Sequence, residues 1–238
     1  MTADPASGIE ATPGPAATTR SGPPPTTLVV ALVPLAVAVN FVANYAVATL
    51  GLPIYLDTIG TFLAAALLGP WWGALAGVLT NVVGAVPNGV SNLLFAPVNV
   101  AAALVWGYGI RRLGLGRNAI LFFGLAALVG VVTGTLATPI VLFLFGGSTG
   151  HPSDLITAAF ASFGIERAAL ISSVASSVPD KVIAAYAGLA ITAALPAAVA
   201  ARAVLPEAPG TRRLLVAIAG MLVGVAIAAV VVLAQPPA

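Results

Sequence analysis

No cysteine occurs in the chain, and histidine occurs once, at His151. The first absence excludes disulfides, thiolate metal sites and cysteine nucleophiles. The second leaves no set of imidazoles from which to build a metal centre. Charge is scarce too: only 7% of the 238 residues are Asp, Glu, Lys or Arg, against ~25% in an ordinary soluble domain. Aromatics, also 7%, are too few for an extended stacking surface. The net charge of +2 and pI near 9.4 do not signal a nucleic-acid partner, because the basic residues sit in short segments between apolar runs. No Walker A sequence is present, so any ATP hydrolysis falls to a partner. With no nucleophile–base pair and no metal set, neither enzymatic activity nor a cofactor is expected.

What is present is apolar. Hydrophobic residues make up 60% of the chain, and several runs approach or exceed the ~20 residues that cross a ~30 Å hydrocarbon core. An all-α, polytopic helical bundle in the cell membrane is predicted. Residues 1–27, rich in Pro, Ala, Thr and Gly, show no apolar periodicity and read as a disordered tail. The run after them starts too late and is too long for a signal peptide. Apolar segments follow at 28–50, 58–69, 71–86, 92–110, 119–145, 181–202 and 212–234, with a more polar stretch at 146–180.

The topology turns on whether 58–86 is one kinked span or a hairpin. Pro70 removes a backbone donor and clashes with the preceding turn, so a break is expected there. Trp71 and Trp72 favour a membrane interface. A hairpin with a cytoplasmic N-terminus puts Arg20, Arg111, Arg112, Arg117, Arg202, Arg212 and Arg213 inside, and Arg167 and Lys181 outside. That is the distribution the positive-inside rule favours. Small residues at four-residue spacing (Ala65, Gly69, Gly73 and Gly77; Gly130 and Gly134; Gly220 and Gly224) predict close helix packing within the chain.

On this topology the polar residues gather at the outer end. Asn40 and Asn44 share one face of the first span, and Asn81 and Thr138 lie in outer halves of theirs. Asn88, Ser91 and Asn92 form an external turn, Asn99 lies two turns further in, and Asp57 and Thr61 open the second span. Polar side chains in lipid need partners or a wet cavity. Taken singly, each amide serves equally well to tie two helices together. As a set, Asn40, Asn44, Asp57, Thr61, Asn81, Asn88, Asn92, Asn99 and Thr138 are expected to line an outward-opening substrate pocket. Asp57 has two readings, a helix N-cap and a carboxylate that holds a ligand donor. Residues 146–180 are expected to form an external cap loop with two short interfacial helices; His151 and Asp154 have the placement to face a ligand, the other reading of a lone loop histidine being plain solvation. Glu166–Arg167 and Asp180–Lys181 read as local ion pairs or caps.

The run "PIYLDTIGTFLAAALLGPWWGALAGVLTN", with "FAPVNVAAALVWGYGIRR" and "DKVIAAYAGLAITAALP" after it, resembles the substrate-binding S components of energy-coupling factor (ECF) transporters over about residues 30–205. The resemblance implies a six-helix membrane domain with the N-terminus inside, here spanning 28–206. It implies capture of a vitamin or similar micronutrient in an outward pocket, gated by the loops after the first, third and fifth spans. It also implies partners: a transmembrane coupling subunit and two cytoplasmic ATPases, against which the S component topples within the lipid. Two features lie outside the pattern. The first span lacks the Ala-x-x-x-Ala pair of S components that share a coupling module, and 207–238 supplies one additional C-terminal transmembrane helix. Two other classes remain open from the residues alone, a membrane ligand sensor or scaffold and a secondary transporter. Against the latter, Asp57 and Asp180 read as span-end residues, with no acid–base pair inside.

Overall fold

The computed structural model describes residues 22–206 and 210–233, and within them the chain is helical with no strand. The expected tail at 1–27 lies mostly outside the described residues. Nine α-helices follow in order among those described: α1 (Thr26–Thr49), α2 (Ile59–Leu67), α3 (Pro70–Asn88), α4 (Ala96–Arg111), α5 (Ala119–Phe145), α6 (Asp154–Ala159), α7 (Ile165–Ala194), α8 (Ala197–Ala200) and α9 (Gly210–Leu233). Short 3-10 turns occupy Val90–Phe95 and Ala161–Phe163. Four units are long and apolar enough to cross a membrane: α1, the continuous Val90–Arg111 stretch, α5 and α7. The apolar part of α9, Leu214–Val230, is shorter.

The centre of the bundle is α2. Every residue of this helix is buried, so a segment of about 14 Å at 1.5 Å per residue is shielded on all sides by α1, α3, α4 and α7. Phe62 meets Trp106 of α4 and Phe122 of α5 edge to face, a geometry aromatic quadrupoles favour. A helix end leaves carbonyls without intrahelical donors; here Arg111 Nη1 donates to Ala66 O at 3.0 Å and Arg202 Nε to Leu67 O at 3.3 Å.

The helix stops at Gly69, whose φ of 123° suits glycine, and Pro70 begins α3 at the position where its fixed φ and missing donor are tolerated. The expected hairpin therefore forms, with Trp71 and Trp72 exposed at its turn. Close approach is written in small residues. A Cβ on Gly73 would sit 2.6 Å from Ala65 Cβ, and one on Gly60 would collide with the Ala36 carbonyl of α1. Gly130 and Gly134 of α5 lie against the backbone at Ser177–Val178 and Ser173–Val174, and Gly220 and Gly224 seat α9 on Tyr186 and Ile183 of α7.

One boundary differs from the sequence reading. Of the polar stretch 146–180, only α6 and one 3-10 turn form short elements; from Ile165 onward the chain is a single helix running to Ala194. Pro179 lies inside it. The serines that lower this segment's hydropathy are accommodated in the helix: Ser176 Oγ donates to Ser172 O at 2.8 Å, one turn back. Asp180 and Lys181 accordingly lie inside a long helix, 0% and 4% exposed, rather than at a span end. An acid–base pair therefore does occupy the interior of the bundle, contrary to the expectation from sequence.

Candidate functional site

The segments after α1, α3 and α5 converge on one end of the bundle, where they and the adjoining helices enclose a cavity of about 360 Å³. That volume falls in the lower range of small-molecule sites. The opposite end is where Gly69–Pro70, Arg111 and Arg202 meet.

A charged cluster forms one wall. Lys181 Nζ lies 3.5 Å from Asp57 Oδ1 and in close contact with Asp180 Oδ2. Asp180 Oδ1 turns toward the segment after α1, accepting the Tyr55 N–H at 3.2 Å and the Leu56 N–H at 2.6 Å. From the other side Asn44 Nδ2 donates to Tyr55 O at 2.7 Å. These three bonds hold Leu56 at a φ of 46°, a left-handed conformation that costs a bulky L-residue roughly 1–3 kcal/mol. The segment carrying Asp57 is thus latched to α1 and α7.

An amide relay forms the second wall. Asn99 Nδ2 donates to Asp57 Oδ2 at 3.1 Å and to Asn81 Oδ1 at 2.8 Å. Asn81 and Asn92 exchange side-chain-to-backbone bonds at 2.8 and 3.0 Å, fixing the 3-10 turn after α3. Asp57 Oδ1 is buried against the Lys181 ammonium and accepts no closer hydrogen bond among the described residues.

The third wall comes from 146–154. Asp154 gathers this loop by accepting Ser148 Oγ at 2.8 Å and the Gly150 N–H at 2.7 Å. His151 stacks on Tyr55, ring centroids 4.0 Å apart, and Ser153 Oγ bridges His151 Nδ1 and the Tyr55 hydroxyl at 3.0 and 3.2 Å. Burial pushes the His151 pKa down to about 4, outweighing the opposing pull of Asp154 and Asp57. The imidazole is therefore uncharged at neutral pH. Burial likewise raises the Tyr55 hydroxyl to about 12. His151 and Asp154 both line the cavity roof, the histidine stacked and hydrogen-bonded rather than simply solvated.

Of the residues expected to line a pocket, Asn44, Asp57, Asn81, Asn88, Asn92 and Asn99 do so. Asn40, Thr61 and Thr138 do not. Asn40 is fully buried beneath the cavity, its Nδ2 donating to Thr61 Oγ1 and Thr80 Oγ1, both at 2.9 Å, and its Oδ1 accepting the Gly60 N–H at 2.6 Å. It ties α1 to α2 and α3. Thr138 Oγ1 bonds back to Gly134 O at 2.9 Å, within its own helix. Nor is Asp57 an N-cap. Thr58 precedes α2 with no side-chain capping bond, because the Asp57 carboxylate is drawn to Lys181 and Asn99.

The main omission from the sequence reading was α7. Ser172, Ser173, Ser176, Ser177 and Lys181 all line the cavity. The signal was there: 173, 177 and 181 recur at four-residue spacing, one face of a continuous helix. Among the described residues no group of three His, Cys, Asp or Glu converges to hold a metal. The assembled chemistry is that of recognition: amides, hydroxyls and one compensated charge cluster around a void. No protein-family model, no curated protein and no solved structure matches the chain.

Proposed function

We propose that this chain is the substrate-capture subunit of an ATP-driven, ECF-type importer for a vitamin or similar micronutrient. The observation that carries the reading is the polar cavity at one end of an otherwise apolar, membrane-length bundle, roofed by the segments after α1, α3 and α5. A solute entering there meets hydrogen-bonding partners without crossing the apolar half. In this reading α1, α2, α3, α4, α5 and α7 form the six-helix core, and α9 is the additional C-terminal helix. Arg111 and Arg202 bond the C-terminal carbonyls of α2 at the end opposite the cavity, and Arg112 and Arg117 lie in the connection that follows Arg111, which supports a cytoplasmic N-terminus and an outward pocket. Transport then requires a coupling subunit and ATPases as partners.

The test is purification in mild detergent from cells carrying the surrounding genes. A small molecule bound in stoichiometric amount, with a coupling subunit and ATPases co-purifying, supports the reading. A preparation empty of both overturns it.

One observation favours a second reading. The buried Asp57–Lys181–Asp180 cluster touches the cavity, and ionisable groups within a membrane bundle are characteristic of ion-coupled carriers. Uptake into vesicles containing this chain alone, driven by a proton or sodium gradient, would establish that reading instead.

A further inference from the structure

We propose that the cavity selects a small organic cation with a flat apolar body, its charged N–H group directed at Asp57. This deepens the capture reading and rests on its claim that the cavity holds a ligand.

Charge carries the inference first. Asp57, Asp154 and Lys181 line the cavity, Asp180 lies directly against Lys181, and no other Lys or Arg among the described residues lines it. Lys181 is engaged by two carboxylates, so its ammonium is not free to meet an anionic ligand. His151, the remaining titratable group of the roof with basic character, is neutral at neutral pH. The wall therefore carries an excess of negative charge. Within a partly desolvated space such a field attracts a cation far more strongly than bulk water would allow.

Hydrogen bonding supplies an independent argument. Asp57 Oδ1 is buried against the Lys181 ammonium at 3.5 Å, yet the Asp57 side chain keeps 23% of its surface exposed where it lines the cavity. Beyond Lys181 it receives one hydrogen bond, from Asn99 Nδ2 to Oδ2, and Asn99 Nδ2 is also committed to Asn81 Oδ1. A carboxylate accepts more donors than these, so a ligand N–H adds to its exposed side; a ligand carboxylate or phosphate meets like charge there instead. Asp154 does not compete for the role, since Ser148, Thr149 and Gly150 already donate to it.

Shape completes the case. Two aromatic pairs line the cavity: Tyr55–His151, 4.0 Å apart and 16° from parallel, and Phe95–Phe145, 5.9 Å apart and 28° from parallel. Ring faces attract cations and stack on flat apolar bodies.

The experiment compares three near-isosteric probes, benzamidinium, benzamide and benzoate, against the full chain in lipid nanodiscs, by calorimetric titration and thermal shift. Benzamidinium is expected to bind at least tenfold more tightly than benzamide, and benzoate not at all. Asp57→Asn is expected to bring benzamidinium down to the benzamide level; the wild-type series decides the matter alone if that variant does not fold. Equal binding of the three, or tighter binding of benzamide or benzoate, overturns the cation inference and leaves importer capture to be judged by co-purification. Binding of none of the three overturns the claim that this cavity is a ligand site, and the inference with it.

Discussion

Lys181 shows how a single side chain can hold a site together at some risk to stability. Its ammonium neutralises two carboxylates in a place almost free of water, so its loss leaves Asp57 and Asp180 facing each other unpaired. Lys181→Met is expected to destabilise the protein by about 3–5 kcal/mol, the usual consequence of breaking a buried pair. Adding Asp180→Asn is expected to restore most of that, because an amide oxygen still accepts from the Tyr55 and Leu56 N–H groups. Thermal melts of both variants in detergent check this, and failure of the second change to rescue the first would contradict it. The asparagines divide by the same logic. Asn40→Ala strands the Gly60 N–H and is expected to cost ~1–3 kcal/mol without altering affinity per folded molecule. Asn88 lines the cavity and makes no side-chain hydrogen bond among the described residues. Asn88→Ala is expected to leave the melting temperature unchanged and to reduce the amount of small molecule retained on purification. His151 adds a pH dependence. Its folded pKa of about 4 lies below the ordinary value of ~6.5, so between the two the unfolded chain binds the extra proton. Stability contributed by the neutral ring is therefore complete above ~6.5 and falls as pH drops toward 4. Melting curves of wild type and His151→Gln are expected to converge over that interval.

At the scale of elements, the α5–α7 contact decides whether the cavity exists. Thr133 on α5 and Ser173, Ser176 and Ser177 on α7 line it from facing helices, and those helices meet where Gly130 and Gly134 expose their backbone. Gly134→Leu inserts a side chain where even a Cβ lies 2.7 Å from Ser173 O. The expected result is loss of at least ~1–3 kcal/mol of stability together with loss of retained ligand. Gly124→Leu, on the same helix with nothing within 4 Å of its Cβ position, is expected to behave as wild type in both assays. This same pair of helices marks the boundary of sequence legibility. The glycine spacing on α5 announced a close helix contact, and the Gly69–Pro70 break announced the α2–α3 turn, because steric demands of these residues are local. The continuity of α7 was hidden. Charged residues, serines and Pro179 lower its hydropathy, to a mean of 1.2 over a membrane-length window, and only the packing on α5 shows that its hydroxyls face a cavity or bond to their own backbone.

For the whole molecule, the question is which end faces outward. The lack of any native cysteine makes a single introduced thiol an unambiguous reporter. In intact cells, Ser148→Cys, exposed beside the cavity roof, is expected to react with a membrane-impermeant maleimide. Arg117→Cys, exposed at the opposite end, is expected to react only after permeabilisation. The reverse pattern would place the cavity in the cytoplasm and remove the basis for import.

Composition and periodicity by themselves determined that this protein is an all-helical membrane bundle and that its amides concentrate toward one end, since solvent preference and helical spacing act residue by residue. They did not determine which amides face the void. Asn40 and Asn44 share a helix face, yet one is sealed under α2 and α3 while the other borders the cavity. Nor did they disclose that Asp57, from before α2, and Lys181, deep in α7, neutralise one another. Only the tertiary structure decided this, because charges distant along the chain acquire partners through the packing of whole helices.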